Sequence, residues 1–256
     1  MPDVKFSQIL DQEIDALNLG NLSGETNVYE LYYWPGLPGR GEFIRLILEQ
    51  ANAAYRDFGS EGDIDRIVSM RATGIGFAPP FLKDGDNVIA QVPAISLYIG
   101  RKHQLIPSKT YDETRVLQLL LTVMDVVNEV HDTHHPVSVA LTYEEQAVVA
   151  KVRASSFLDG RLASWLDYFS STLSHSVWLH GSEVTIADLA LFQLTCGLEY
   201  AFPKASNKFM STELRHHQNR VAELPNIKRY LDSERRQGFN ESGIFRNYPE
   251  LDLQVG

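Results

Sequence analysis

The spacing of apolar residues divides the chain into two parts with different secondary structure. In the first part, the run VYELYYW at 28–34 is rich in aromatic and β-branched residues, which predicts a strand. Four proline and glycine residues end that run, and apolar positions at helical spacing from Arg40 onward predict a helix. A second strand is predicted over 55–58 and a short second helix over 62–72.

Residues 76–93, GFAPPFLKDGDNVIAQVP, contain two short apolar runs joined by the polar turn 83–86, which is a hairpin signal. Residues 94–103 then predict a helix. The order of elements is therefore strand, helix, strand, helix, strand, strand, helix. Helices between the first strands imply parallel pairing, and the hairpin adds an antiparallel pair. We predict a small mixed sheet with helices on its faces.

Beyond Pro107 the periodicity is helical, and no strand pattern of comparable strength follows. Apolar spacing near 3.6 residues runs through 117–130, 144–173, 186–202 and 226–236. The second half of the chain is therefore predicted to be all-α.

These patterns predict five consecutive regions along the chain. The first is an extension whose apolar residues suggest one short helix before a Gly- and Ser-containing break. An α/β domain, a linker, an all-helical domain and a tail follow. The predicted bounds are 1–27 for the extension, 28–104 for the α/β domain, 105–111 for the linker, 112–245 for the helical domain and 246–256 for the tail.

Composition narrows the classes of function. The chain has 256 residues, of which 44% are hydrophobic and 22% charged, as in ordinary globular proteins. Its net charge of −10 disfavours binding to nucleic acid, whose phosphates it would repel. Cys196 is the one cysteine, so no disulfide within the chain and no cysteine-based zinc site can form. Since Cys196 lies in an apolar run, we expect a small core residue there rather than a reactive thiol.

The sequence carries no pattern of a signal peptide or of a membrane span. The N-terminal residues lack a basic start followed by an apolar stretch, and no segment reaches ~18 uninterrupted apolar residues. We therefore expect a cytoplasmic protein that does not enter a membrane.

Five short motifs follow one another between residues 28 and 240. They are YWPGLPGRGEFIR at 33–45, FAPPFL at 77–82, Gln91-Val92, VTIADLALF at 184–192 and LPNIKRYLDSERRQGF at 224–239. In their order and spacing these motifs resemble the cytosolic glutathione transferase family, in its tyrosine-type classes alpha, mu, pi and sigma. This chain carries one extra loop residue between Tyr33 and Arg40.

The resemblance implies a fold, an activity and a set of partners. The fold is a thioredoxin-like α/β N-terminal domain that binds glutathione, followed by an all-α domain that shapes the pocket of the second substrate. Glutathione is a co-substrate, the second substrate is a small hydrophobic electrophile, and no metal is required. The family forms two-fold dimers, so a homodimer is expected.

Glutathione reacts as a thiolate, although a free thiol has a pKa near ~8.5 and is mostly protonated at neutral pH. A tyrosine hydroxyl beside the sulfur stabilises the anion by donating a hydrogen bond. Tyr33, at the end of the first strand, resembles the family's donor, and Arg40 is expected to add a positive charge nearby. Tyr32 is the alternative donor, but successive strand residues point to opposite faces, so one of the two should pack in the core.

The resemblance also assigns residues that hold the tripeptide. Pro80 corresponds to the family's cis-proline, and the main chain of Pro79 to the group that pairs with the cysteinyl unit. Gln91 and Val92, at the start of a helix whose dipole favours a carboxylate, are expected to meet the γ-glutamyl end. Two departures from the family pattern weaken this site. Pro79 has no N–H, so one hydrogen bond worth about 1 kcal/mol is lost, and Val92 replaces the usual serine.

Further contacts are expected from basic and acidic side chains. Arg71, or alternatively Arg66, is predicted to meet the glycyl carboxylate. Glu129, with Asp125 one helical turn away, is predicted to reach the glutamyl amine in the partner subunit's site.

Two other polar patterns call for a different interpretation. HDTHHP at 131–136 has histidine spacing suited to a metal, but Pro136 breaks the helix, and a helix end that lines the second-substrate pocket is the favoured interpretation. Thr185 and Asp188 match a capping box, so we expect a structural role for both.

Two alternative functions stay open at this stage. The first is a binding or assembly module with this fold and no transferase activity, which the residues at 79 and 92 favour. The second is a glutathione-dependent isomerase or peroxidase that uses the same thiolate.

Overall fold

The computed structural model describes residues 28–254. Within this range one sheet has the strand order β2-β1-β3-β4, with β1 (Tyr29–Tyr32), β2 (Tyr55–Asp57), β3 (Phe81–Asp84) and β4 (Asn87–Ala90). Strand β1 pairs in parallel with β2 and antiparallel with β3, and β3 and β4 form a hairpin. The predicted mixed sheet is confirmed.

Three helices cover the two faces of this sheet: α1 (Gly41–Gln50), α2 (Ile64–Ala72) and α3 (Val92–Lys102). The alternation of side chains along β1 determines which helix packs on which face. Leu31 lies in the large apolar core that includes residues of α1 and α3, whereas Tyr32 packs with Phe58 and Ile67 in a second cluster on the α2 side. This is the predicted thioredoxin-like arrangement.

Every regular element in the described part of the second half is helical. Its elements are α4 (Thr110–His134), α5 (Tyr143–Ser156), α6 (Leu162–Leu173), α7 (Ile186–Ala201), α8 (Pro203–Phe209), α9 (Thr212–Ala222), α10 (Pro225–Leu231) and a 3-10 turn at Pro249–Leu251. The all-α prediction is confirmed.

The helix boundaries differ from the predictions in two ways. The helical apolar spacing over 144–173 belongs to two helices, α5 and α6, separated by a π-helical turn at Phe157–Arg161. Gly160 in this turn has φ +92°, which interrupts the helix while apolar periodicity continues on both sides. Helices α8 and α9 were not predicted, because α9 is mostly polar and buries only Leu214, His217 and Val221.

A continuous apolar core joins the two halves. The core contains side chains from α1 and α3 as well as from the central helices α4 and α7. The linker contributes Leu105 and Ile106, and the carbonyl of Leu105 accepts a hydrogen bond from the N–H of Ile186 at the start of α7. The sheet and α4 therefore pack on a shared core.

The short helix predicted within residues 1–27 lies outside the described residues. The tail packs back on the helical half, where Tyr248 stacks on Tyr143 with ring centroids 3.8 Å apart. The Asp252 carboxylate accepts hydrogen bonds from the N–H groups of Lys204 and Ala205 at the start of α8. Between residues 28 and 254, no helix has both the length and the apolar character needed to cross a bilayer.

Candidate active site

A crevice of about 330 Å³ opens between helix α4 on one side and, on the other, the residues that precede α1, β3 and α3. It brings together five of the eight residues predicted to form the site. Its lining comprises Arg40, Ala78, Pro79, Pro80, Gln91, Val92, Pro93, Met124 and Asn128. Both halves of the chain therefore contribute to one site, as expected for a glutathione domain and a pocket-shaping domain.

The Pro79–Pro80 peptide bond is cis, as predicted. Both prolines are buried at the start of β3, where the chain turns from an exposed loop into the sheet. Pro79 presents a main-chain carbonyl beside the crevice but has no N–H to donate. A peptide bound here therefore gains one main-chain hydrogen bond from this residue at most.

Gln91 immediately precedes α3 and has φ +74°, a region that non-glycine residues seldom adopt. Its side chain is exposed and makes no capping bond, so its amide is free to bind a ligand. Val92 is 2% exposed, so its side chain belongs to the core, and this position offers only main-chain polarity. The first turn of α3 has unpaired N–H groups and a positive dipole end, which suit a carboxylate.

Tyr33 directly follows β1 and packs against the loop that leads into α1. Its hydroxyl oxygen accepts a hydrogen bond of 2.8 Å from the N–H of Arg40. The ring lies against Gly39 and Gly41, where a Cβ atom would come within 2.3 Å and 2.6 Å of Tyr33 atoms. Only 6% of Tyr33 is exposed, and the two glycines leave room for its hydroxyl beside the main chain of Arg40, a residue that lines the crevice.

The electrostatics around Tyr33 and Arg40 keep the Tyr33 phenol protonated. Burial raises the pKa of Tyr33, and the Arg40 N–H and the nearby charges of Arg40 and Arg45 offset only part of that rise. The Arg40 guanidinium donates to the Asn128 Oδ1 at 2.6 Å, and burial lowers its pKa. Because arginine stays charged in proteins, the neutral Tyr33 O–H lies close to a cation whose residue lines the crevice.

Tyr32 points to the other face of the sheet. Its hydroxyl donates to the carboxylate of Glu30, and its ring packs on Phe58 with centroids 4.6 Å apart. Burial raises the pKa of Tyr32, with a further rise from Glu30. Of the two tyrosines, Tyr33 is the one bonded to Arg40, a residue that lines the crevice, and its role as the thiolate donor stays a prediction.

The other three of the eight predicted residues, Tyr33, Arg71 and Glu129, do not line the crevice themselves. Arg71 is exposed on α2, and the alternative Arg66 pairs with Asp63 at 3.6 Å. The carboxylate of Glu129 binds Arg161 of the same chain at 2.6 Å, and Asp125 is exposed. The assignments of Arg71 and Glu129 to glutathione stay predictions.

Sequence reasoning missed two side chains that α4 places in the crevice. Met124 and Asn128 lie four residues apart, on one face of the helix. Asp125 and Glu129, one position further along the helix, were predicted for the partner subunit's site, which is a separate prediction. The apolar stripe of α4 was a signal for the buried Met124, whereas exposed Asn128 had no such signal.

Three histidines form a cluster at the C-terminal end of α4: His131 and His134 within it and His135 directly after it. Their ring centroids lie 4.9–5.2 Å apart. Burial lowers the pKa of His131 to about 4 and that of His134 to about 3, so both are neutral near pH 7. The Nε2 of His134 lies 2.7 Å from the Ile244 carbonyl, and His135 bonds to Gln146. Among residues 28–254, no group of three or more His, Cys, Asp or Glu has an arrangement that would hold a metal.

Known proteins resemble this chain in sequence. The family described as "Glutathione S-transferase, C-terminal domain" matches residues 131–234. The glutathione S-transferase of Plasmodium falciparum is 26% identical over 80% of this chain and 95% of its own length. Glutathione S-transferase Mu 1 of Macaca fascicularis is 27% identical over 80% of this chain and 91% of its own.

A solved structure supports the fold. The pi-class glutathione S-transferase of Onchocerca volvulus superposes with a TM-score of 0.64 over 80% of this chain and 92% of its own, at 23% identity. The sequence relatives, the motifs in their order and the two-part architecture agree with one another. Together these likenesses support placing the chain with the cytosolic glutathione transferases.

Proposed function

We propose that this protein conjugates the thiolate of glutathione to small hydrophobic electrophiles, with Tyr33 as the group that stabilises the thiolate. The observation that carries the mechanism is the hydrogen bonding of the Tyr33 hydroxyl. Its oxygen accepts from Arg40, and its own hydrogen has no acceptor among residues 28–254. A thiolate at the edge of the crevice would take that hydrogen bond.

The Arg40 N–H strengthens this interaction. A hydroxyl that accepts a hydrogen bond becomes a better donor, because the two bonds polarise each other. Lowering the pKa of a thiol by about two units requires ~2.7 kcal/mol, which one or two charge-assisted hydrogen bonds in a dry site supply. The Arg40 guanidinium adds a nearby positive charge that favours the anion.

The rest of the tripeptide fits the polar groups around the crevice. In this proposal the Pro79 carbonyl pairs with the cysteinyl N–H, and Gln91 and the first turn of α3 receive the γ-glutamyl end. Arg71 meets the glycyl carboxylate. Glu129 of the partner subunit meets the glutamyl amine, which requires it to leave or share its bond with Arg161.

A homodimer is part of the proposal. Phe77 is 87% exposed, two residues before the buried Pro79, and Ile75 is exposed in the same loop. An apolar pair of this kind beside the site is suited to burial against a second copy. Sedimentation of the wild type is expected to give a dimer, and Phe77→Ser to shift it toward the monomer; a monomeric wild type would refute this part.

A cytoplasmic location completes the proposal. The one cysteine leaves no disulfide to be formed in an oxidising compartment. Cell fractionation tests this location, and recovery of the protein in a secreted or membrane fraction would contradict it.

The activity has a direct test. The purified protein is applied to immobilised glutathione and is assayed with glutathione and an activated aryl chloride. We expect retention on the resin and formation of the thioether. Retention without turnover would support the alternative of a binding module, which the missing N–H of Pro79 favours. If the protein is neither retained on the resin nor active in the assay, glutathione chemistry is ruled out for this chain.

A further inference from the structure

The loop between Tyr33 and Arg40 is bound by a side chain from the far end of the sequence. The Nδ2 of Asn240 donates to the Gly36 carbonyl at 2.9 Å. The Oδ1 of the same amide accepts from the N–H of Ser242 at 3.0 Å, which fixes its orientation. The loop is thus connected directly to the segment that follows α10.

A second connection reaches the same loop through a buried ionic network. Arg45 donates from Nη1 to the carbonyl of Pro38 at 3.3 Å and to that of Leu37 at 3.5 Å. The same nitrogen lies 3.2 Å from the Glu42 carboxylate, and both side chains are fully buried. Three consecutive loop carbonyls are therefore bound by side chains from outside the loop.

The Glu42 carboxylate is itself held by the C-terminal part of the chain. The Tyr230 hydroxyl donates to its Oε1 at 2.6 Å, and Arg236 forms an ion pair with the same oxygen. Arg236 also donates to the Oε1 of Gln193 on α7 at 3.0 Å. Glu42 thus links the C-terminal residues to Arg45, which in turn binds the loop.

The loop sets the geometry of the proposed thiolate donor. It ends at Gly39, whose close approach to the Tyr33 hydroxyl leaves no room for a side chain. The next N–H, that of Arg40, makes the 2.8 Å bond to the hydroxyl. A shift of the loop by a few tenths of an ångström would lengthen that bond and reduce its polarisation of the hydroxyl.

We infer that Tyr230, Arg236 and Asn240, which we call the C-terminal clamp, are positioning residues that hold the Arg40 N–H against the Tyr33 hydroxyl. This inference rests on the proposed function, because it concerns the same hydroxyl. It explains how a loop with one residue more than the family pattern keeps its geometry. It also makes the ionisation of glutathione depend on the helical half of the chain.

The chain offers a matched control for Asn240. The Nδ2 of Asn226 donates to the Gln50 carbonyl at 2.9 Å, at the C-terminal end of α1. Both amides therefore join the C-terminal part of the chain to a carbonyl of the α/β half. Only the bond of Asn240 ends on the loop that carries Arg40.

The test compares Asn240→Ala, Asn240→Asp and Asn226→Ala with the wild type. The pKa of bound glutathione is measured from the ultraviolet absorbance of its thiolate against pH, together with the pH profile of kcat/KM. We expect both Asn240 variants to raise the thiol pKa by about half a unit or more, because the loop loses one hydrogen bond. Asn240→Asp keeps the shape and the Ser242 bond, so it also reports if the alanine variant folds poorly. Asn226→Ala should match the wild type.

Three results would overturn the inference. If the Asn240 variants ionise glutathione as the wild type does, the clamp has no role while the proposed function stands. If Asn226→Ala raises the thiol pKa equally, the effect belongs to contact between the two halves in general. If glutathione bound to the wild type keeps the pKa of the free thiol, both the clamp and the proposed function are wrong.

Discussion

At the scale of single residues, the position of one hydroxyl depends on glycines that have no side chain to displace it. A Cβ at Gly39 would lie 2.3 Å from the Tyr33 hydroxyl oxygen. Gly39 also has φ +40°, and Gly36, earlier in the same loop, has φ +70°. A Cβ at Gly36 would meet nothing within 4 Å. The two glycines therefore share a backbone requirement but differ in what a side chain would strike.

This difference gives a prediction for Gly39→Ala. Gly39→Ala and its control Gly36→Ala should each lose about 1 kcal/mol of unfolding free energy, because alanine is disfavoured at positive φ. Only Gly39→Ala should also raise the pKa of bound glutathione and reduce kcat/KM, since its methyl group displaces the Tyr33 hydroxyl. Chemical denaturation and thiolate titration measure the two effects. Equal kinetic losses in Gly36→Ala would refute the steric explanation.

Much of the site could be predicted at this scale because its signals are local. The two-residue period of a strand separates Tyr32 from Tyr33, and a Pro-Pro pair before a strand marks the turn at the crevice. The partner of Arg40 could not be predicted. Asn128 lies 88 positions away, and its contact depends on how α4 crosses the sheet.

At the scale of elements, the start of α7 is fixed by a buried carboxylate. Asp188 accepts hydrogen bonds from the N–H and hydroxyl of Thr185 and from the N–H of Leu179. The Nε2 of His217 lies 3.0 Å from the same carboxylate. The capping interaction predicted for Asp188 is confirmed, and α9 extends it through a histidine to which the sequence assigned no role.

Asp188→Ala should therefore destabilise the protein without a specific catalytic defect. Its removal leaves several buried donors unpaired, which should lower the free energy of unfolding by about 3 kcal/mol or more. Thr142→Ala removes a cap at the exposed capping box of α5 and should lower it by about 1 kcal/mol. Denaturant unfolding measures both, and the kcat/KM of the folded fraction should equal that of the wild type. A catalytic loss in folded Asp188→Ala would contradict the structural role.

The elements that escaped sequence analysis did so for two different reasons. Helix α9 has few apolar residues, and its burial comes from contacts with α7 and Trp178 that only the folded chain reveals. The π-helical turn depends on one glycine within an otherwise continuous apolar pattern. Periodicity reports which face is buried, but it does not report where a helix is interrupted.

At the scale of the whole molecule, the site depends on pairs of residues separated by nearly the full described chain. Arg236 and Glu42 lie 194 positions apart, and Asn240 and Gly36 lie 204 apart. No pattern in the sequence couples such positions, so the C-terminal clamp could not be predicted. The clustering of the histidines at 131–135 could be predicted, since their spacing places them together at the end of α4. Their neutrality could not, because it follows from burial in the fold.

That burial predicts a dependence of stability on acid. His134 has a folded-state pKa of about 3, below its ordinary value of 6.5, so protonation favours the unfolded chain. Stability is therefore fully present above about pH 6.5 and declines as the pH falls toward 3, by up to ~1.4 kcal/mol per pH unit for each such histidine.

We expect His134→Gln to make this decline shallower, because glutamine does not titrate and keeps an N–H for the Ile244 carbonyl. The same substitution at the exposed His216 serves as the control. The free energy of unfolding, measured from pH 7 to 4, distinguishes the two. An unchanged slope in His134→Gln would show that other groups govern acid unfolding.

The central claim is that the Tyr33 hydroxyl holds the sulfur of glutathione as an anion. It is tested most directly by titrating bound glutathione in Tyr33→Phe, with Tyr32→Phe as the matched control on the opposite face of the sheet. The account predicts that Tyr33→Phe raises the thiol pKa by about two units, whereas Tyr32→Phe leaves it as in the wild type. A thiol pKa that is unchanged in Tyr33→Phe would contradict the account.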